Sequence, residues 1–179
     1  MPVFLAAAAI VVALDQYVKH IIKTKMAVYQ SITVIKDFFR ITYIENSGIA
    51  MGMFGQQEHP AKRWILLGMV FIAMVLVTVY WVKFGKKKLI YDLTCGMIIG
   101  GALGNFIDRL VTGRVVDFLE FGIKQWTFPV FNIADSAVSV GVAIFVIYMI
   151  FSKEEKAGTG SNTLPPPEKT EGTDASRTV

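Results

Sequence analysis

The sequence predicts an all-α membrane protein with a small β element: four transmembrane helices, plus a short sheet and loop at the outer membrane surface. Three observations lead there. The 179 residues are 54% hydrophobic and only 18% charged, with a mean hydropathy of +0.52. Soluble domains carry roughly 25% charge. Four apolar runs approach the ~20 residues a spanning helix needs. Between them lie segments that alternate apolar and polar residues with β-branched and aromatic enrichment, the pattern of strands. So apolar a chain is not disordered, and it leaves little polar surface for the basic stripe of a nucleic-acid binder. No nucleic-acid partner is therefore expected, and membrane lipids are.

The first span is expected over residues 3–22. Residues 3–14 are wholly apolar, but the run reaches spanning length only by continuing through Asp15 and Lys19. These two stand four apart, share a helix face and partly neutralise each other. A signal peptide fits the run poorly, because residues 1–3 carry no basic side chain. The second span, 64–82, has no charge at all. The third, 89–107, has Asp92 near its start and carries Gly96, Gly100 and Gly104 at four-residue spacing, a ridge of small residues that lets another helix approach closely. The fourth, 133–151, contains one charge, Asp135.

Residues 152–179 are rich in Gly, Ser, Thr, Pro and charge, and are expected to be a disordered cytoplasmic tail after a four-span domain of residues 1–151. The tail holds four basic and five acidic residues, which leaves 14 basic and nine acidic for the rest. The loop 83–88 packs four positive charges into six residues. A short, dense basic loop favours the cytoplasmic side, so both termini are expected in the cytoplasm. Against this, the outward segment 23–63 itself holds six basic residues, and the orientation rests on density alone. Strands are expected over 32–35, 39–44, 115–121 and 126–131, forming a small sheet on the membrane surface.

With this topology the polar residues converge. Asp15 is late in the outward-running first span, Asn105 and Asp108 close the third, and Asp135 opens the fourth, all toward the outer face. Asp92 lies at the opposite end, with no role expected. Gly101, Asn105 and Asp108 fall at i, i+4 and i+7, one helix face, and Asn132, Asp135 and Ser139 do the same at i, i+3 and i+7. Asp117 joins them from the strand-like loop. The expected pocket gathers Asp15, Asn105, Asp108, Asp117, Asn132 and Asp135, with Lys19 and Arg109 as counter-charges. Ionisable residues in spans are costly and mark function by default.

Several chemistries lack their residues. Cys95, the only cysteine, sits in an apolar run and reads as a small hydrophobe. The two histidines, His20 and His59, make neither an H-E-x-x-H zinc motif nor a placed triad. Carboxylates remain. Two close carboxylates share a proton, so one activates water while the other protonates the carbonyl oxygen or the leaving amine. No cofactor or metal is expected. From spacing alone, the same aspartates equally fit a proton relay in a small transporter or channel, or buried ion pairs such as Asp108 with Arg109.

Five blocks in order then carry a resemblance. They are Asp15-Gln16-Tyr17-Val18-Lys19; Asn46-Ser47-Gly48-Ile49-Ala50-Met51-Gly52; Gly100-Gly101-Ala102-Leu103-Gly104-Asn105-Phe106-Ile107-Asp108-Arg109; Val115-Val116-Asp117-Phe118; and Phe131-Asn132-Ile133-Ala134-Asp135-Ser136. Across most of residues 10–151 the chain resembles the lipoprotein signal peptidases (signal peptidase II), bacterial membrane aspartic peptidases. The resemblance implies that Asp117 and Asp135 form a catalytic dyad. It implies that Asn105, Asp108, Arg109 and Asn132 shape the site and hold substrate backbone, with Asp15, Lys19, Asn46 and Gly48 as further pocket residues. The implied substrate is a prolipoprotein cut just before its diacylglyceryl-modified cysteine, at the bacterial cytoplasmic membrane, by a monomer. Ile49, Ala50 and Met51 depart from the family, which usually has a small residue and then an aromatic after Gly48. A transporter would spread its polar residues through the membrane depth, and a mere anchor gives no reason for two aspartates in such polar company.

Overall fold

The computed structural model describes residues 1–48, 60–85, 88–123 and 126–158. Its elements run α1 (Pro2–Lys25), β1 (Ser31–Ile35), β2 (Phe39–Asn46), α2 (Pro60–Tyr80) closed by a π-helical turn (Trp81–Gly85), α3 (Leu89–Val111), β3 (Val115–Ile123), β4 (Trp126–Thr127) and α4 (Ile133–Gly158). Four helical stretches are long and apolar enough to cross a membrane: Pro2–Lys25, Arg63–Phe84, Leu89–Val111 and Ile133–Phe151. The third passes the expected end at 107 and carries Asp108 and Arg109 inside the helix. The fourth helix continues through residue 158, into the segment expected to be a tail, and 159–179 lie outside the described residues, as do Ile49, Ala50 and Met51. The chain divides into two units, Met1–Ile147 and Tyr148–Val179. Of the second, the described part is the last turns of α4.

Within the first unit, α3 is held by its glycines. A Cβ on Gly96 would sit 2.6 Å from the carbonyl oxygen of Phe4, and one on Gly100 2.7 Å from that of Ala8, both on α1. Gly101 meets the Ala134 carbonyl of α4, and a Cβ on Gly104 would lie 2.7 Å from Asp15 Oδ2. Close backbone approach replaces the hydrophobic drive that is absent between helices in lipid. In keeping with that solvent, α2 leaves Trp64, Phe71 and Leu76 exposed. At one end of the bundle Phe4, Trp81, Cys95 and Ile99 form a core, in which the Phe4 and Trp81 rings stack at 4.3 Å. Asp92, given no role by the sequence, accepts the Trp81 indole N–H at 2.6 Å there.

At the other end Ile22 of α1 packs with Tyr43, Val116 and Phe118 of the sheet. Gly113, with φ +80°, turns the chain out of α3 and into β3. The strands order β1-β2-β3-β4, all antiparallel. The segment expected as a strand over 126–131 pairs only at Trp126–Thr127 and returns for one bridge, Leu119 with Phe131. In the β2–β3 register Ile44 faces Asp117 and Asn46 faces Val115. That register brings the Asn46 and Asp117 side chains together, and β3 is buried over Val115, Val116, Asp117 and Phe118.

Candidate active site

Asn132 is the hub. It is the residue before α4, fully buried, and its side chain caps the helix. Asn132 Oδ1 accepts the main-chain N–H of Asp135 at 2.9 Å, and Asp135 Oδ2 accepts the main-chain N–H of Asn132 at 3.2 Å. This is a reciprocal capping box with an aspartate in the third helical position. Because Oδ1 is committed to the helix, Nδ2 points the other way. It donates to Asp117 Oδ1 at 2.6 Å and to Asn105 Oδ1 at 3.1 Å. Asn105 Nδ2 then donates to Asp135 Oδ1 at 2.7 Å. Two asparagine amides therefore tie the two aspartates together from two separate elements.

Asp117 Oδ2 accepts Asn46 Nδ2 at 2.9 Å, and Asn46 Oδ1 accepts the main-chain N–H of Gly48 at 2.9 Å. Burial pushes the Asp117 carboxyl up to about 6. The Asn46 amide opposes that rise, the Asp135 charge adds to it, and Asn132 and Lys19 again oppose it. Desolvation wins because Asp117 is only 3% exposed. A carboxyl that holds its proton close to neutral pH is what acid–base work requires.

Behind these groups lies a buried ionic cluster. Lys19 Nζ reaches Asp15 Oδ2 at 2.7 Å, Asp108 Oδ2 at 2.8 Å and Asn105 Oδ1 at 3.0 Å. The pairing of Asp108 with Arg109 that the sequence left open as an alternative is not the one formed; Asp108 pairs with Lys19. Two carboxylates converge on one ammonium, whereas Arg109 Nη1 donates to the Asn105 carbonyl at 3.4 Å. Asp15 Oδ1 also accepts the main-chain N–H of Ala134 at 2.9 Å, pinning the start of α4 to α1. Gln16 was not singled out from the sequence. Its Nε2 reaches Asp108 Oδ1 at 3.2 Å and the Gly104 carbonyl at 3.1 Å. Its signal in the sequence is its place beside Asp15 in the first of the five blocks.

A cavity of about 810 Å³ opens onto the aspartates. Asn46, Gly48, Asn105, Arg109, Asp117 and Asp135 supply its polar wall together with Ser136 and Ser139 of α4, and apolar side chains of α2, α4, Val115 of β3 and the segment 128–131 supply the rest. Asp15, Lys19, Asp108 and Asn132 do not line it. The structure thus brings all ten sequence candidates into one neighbourhood but sorts them. Six face the cavity and four are buried behind it, at 0%, 1%, 3% and 0% exposure. An apolar cavity with a few convergent polar groups is the usual form of a ligand site.

The chain is similar to known proteins in both sequence and fold. A sequence profile of the family described as Signal peptidase (SPase) II matches residues 7–151. The chain is 41% identical over 149 residues to a lipoprotein signal peptidase of Halothermothrix orenii, covering 83% of this chain and 94% of that one. It is 36% identical over 140 residues to one of Brevibacillus brevis, covering 78% and 89%. A bacterial membrane enzyme solved by the in meso method at 2.3 Å resolution superposes with a TM-score of 0.76 at 32% identity, covering 94% of this chain and 96% of that one.

Proposed function

The chain belongs to the signal peptidase II family, and from that premise we propose that Asp117 and Asp135 are the catalytic dyad that cuts the signal peptide from a diacylglyceryl-modified prolipoprotein. The observation that carries the reading is Asn132, which donates from its buried side-chain amide to the Asp117 carboxyl and from its main-chain N–H to the Asp135 carboxyl, the two carboxyls that line the cavity.

The roles divide by environment. Asp117, with its carboxyl near 6, holds the shared proton. Asp135 sits in the first turn of α4 and accepts a main-chain N–H, a place where the helix favours negative charge. Water attacks the scissile carbonyl carbon and gives its proton to Asp135, while Asp117 protonates the carbonyl oxygen. The resulting gem-diol collapses as the C–N bond breaks. The proton on Asp135 goes to the leaving cysteine amine, and one hydroxyl proton returns to Asp117. Arg109, Asn46 and Gly48 line the same wall and hold the substrate backbone. The apolar wall takes the substrate's lipid and signal helix.

The dyad belongs at the outer face. The segments that follow α1 and α3 meet the sheet at the dyad's end of the bundle, and the dense basic loop 83–88 belongs to the other end, which favours the cytoplasm. Both termini then lie in the cytoplasm. Cleavage of a diacylated prolipoprotein by purified protein tests the assignment. Asp117→Asn and Asp135→Asn are expected to fold and to lose cleavage, and full activity in both overturns the dyad.

A further inference from the structure

We propose that Lys19 is a positioning residue for the dyad, acting through the side-chain amide of Asn105; this rests on the peptidase reading above. Lys19 is 1% exposed, and its ammonium has three protons. Asp15, Asp108 and Asn105 supply three acceptors at 2.7, 2.8 and 3.0 Å. No proton is left for a substrate, and the side chain does not line the cavity. Of its three bonds, two close a buried charge cluster. The third alone is addressed to the dyad.

That third bond is one of two that decide which way Asn105 faces. An amide can turn over by exchanging its oxygen and nitrogen, so its orientation is set by its partners. Asn105 Oδ1 receives the Lys19 ammonium and the Asn132 amide. Both are obligate donors: an ammonium has no lone pair, and the Asn132 Nδ2 end is fixed because Oδ1 caps α4. The Nδ2 of Asn105 is therefore driven onto Asp135 Oδ1 at 2.7 Å. A turned amide would set N–H against ammonium on one side and oxygen against the Asp135 carboxylate on the other. Lys19, two groups away, and Asn132 thus together fix the hydrogen bond that orients Asp135 toward water and substrate. Without the ammonium the Asn105 oxygen keeps one donor instead of two, and a loss of about 1 Å in placement is worth roughly 10²-fold in rate.

The test is a double-mutant cycle read as kcat and KM on folded protein purified by size exclusion, with diacylated prolipoprotein as substrate. Lys19→Met keeps the stem and removes the donor. Lys19→Met and Asn105→Ala are each expected to lower kcat about 10²-fold with KM within threefold, and the double variant to be no slower than the slower single one. Because Lys19→Met strands two carboxylates, the same step is repeated as Asp108→Asn/Lys19→Met against Asp108→Asn, where one carboxylate is already neutral. A raised KM at unchanged kcat overturns the inference, since Lys19 would then touch substrate. So do losses that multiply in the double variant, since Lys19 and Asn105 would then act independently. Asp135→Asn separates the two levels. If it cleaves normally, the peptidase dyad fails; if it is inactive while Lys19→Met cleaves at full rate, only the Lys19 inference fails.

Discussion

Asp117→Asn is expected to make the protein more stable at pH 7.5 while it stops cleavage. The carboxyl of Asp117 is moved from an ordinary 3.8 to about 6. Between those values the folded protein holds a proton that the unfolded chain has released. Stability therefore falls as pH rises through about 4 to 6 and is flat above. Two units correspond to about 3 kcal/mol of cost at pH 7.5. The asparagine never pays this cost. It loses something else: its single oxygen can serve only one of the Asn46 and Asn132 amides that the carboxylate accepts at 2.9 and 2.6 Å. The other is left facing an NH₂ group, at about 1–2 kcal/mol. The net gain is about 1–2 kcal/mol at pH 7.5, and it vanishes or reverses at pH 4. For a chain of this length, that is roughly 2–8 °C in Tm. Thermal unfolding in detergent, followed by intrinsic tryptophan fluorescence at the two pH values, measures it. A variant less stable than the native protein at pH 7.5, or a difference independent of pH, would refute the assignment of desolvation as the dominant force on Asp117.

Further expectations follow from the same geometry. The alkaline limb of kcat/KM, which reports the free enzyme, is expected near pH 6 as Asp117 loses its proton; a flat profile from pH 5 to 8 contradicts the roles assigned to the pair. Gly101→Ala would drive a methyl into the Ala134 carbonyl and Val138, costing about 1–3 kcal/mol and displacing the helix that carries Asp135. Its control is Gly68→Ala, which meets nothing within 4 Å and is expected to keep native cleavage. Equal behaviour of the two in melting and cleavage assays rejects the tight α3–α4 contact. Trp81→Phe keeps the stack on Phe4 but loses the 2.6 Å bond to Asp92. It is expected to cost about 1.5–3 kcal/mol with unchanged kcat, because Asp92 lies at the end of α3 away from the dyad.

Helices and site residues were legible in the sequence for the same reason. In a chain destined for lipid, apolar length reports the spans, and a polar residue inside them must have a partner, so Asp15, Asn105, Asp108 and Asp135 stand out. The face of α3 carrying Gly101, Asn105 and Asp108 is buried as its spacing required. Partner choice was not legible. Adjacency offers Arg109 to Asp108, but successive residues of a helix point about 100° apart, and the ammonium that reaches Asp108 comes from another helix, 89 positions earlier. Nor does a sequence separate groups that face a cavity from groups buried behind it. Asn46 and Asn132 both bond Asp117, yet only the strand residue lines the cavity, a distinction made by the β2–β3 register and by the cap of α4.

The proposed dyad is built from parts that the fold already requires, which limits how the two can be separated. Asn132 must cap α4 for the helix to start there, and the cap turns its amide toward Asp117. Asp135 closes the capping box, so the residue proposed to activate water also satisfies a main-chain N–H. Gly104 allows Asp15 to approach α3, and Asp15 in turn bonds the Ala134 N–H in the first turn of α4. Each contact stabilises a helix end or a close crossing and in the same geometry aims a member of the proposed dyad. Substitutions at Asn132 must therefore lower stability and rate together, whereas Asp117, which has no capping duty, is the one member whose charge can be removed with a gain in stability. That divergence between Asn132 and Asp117 distinguishes a group held at a cost for chemistry from one that the fold needs in any case.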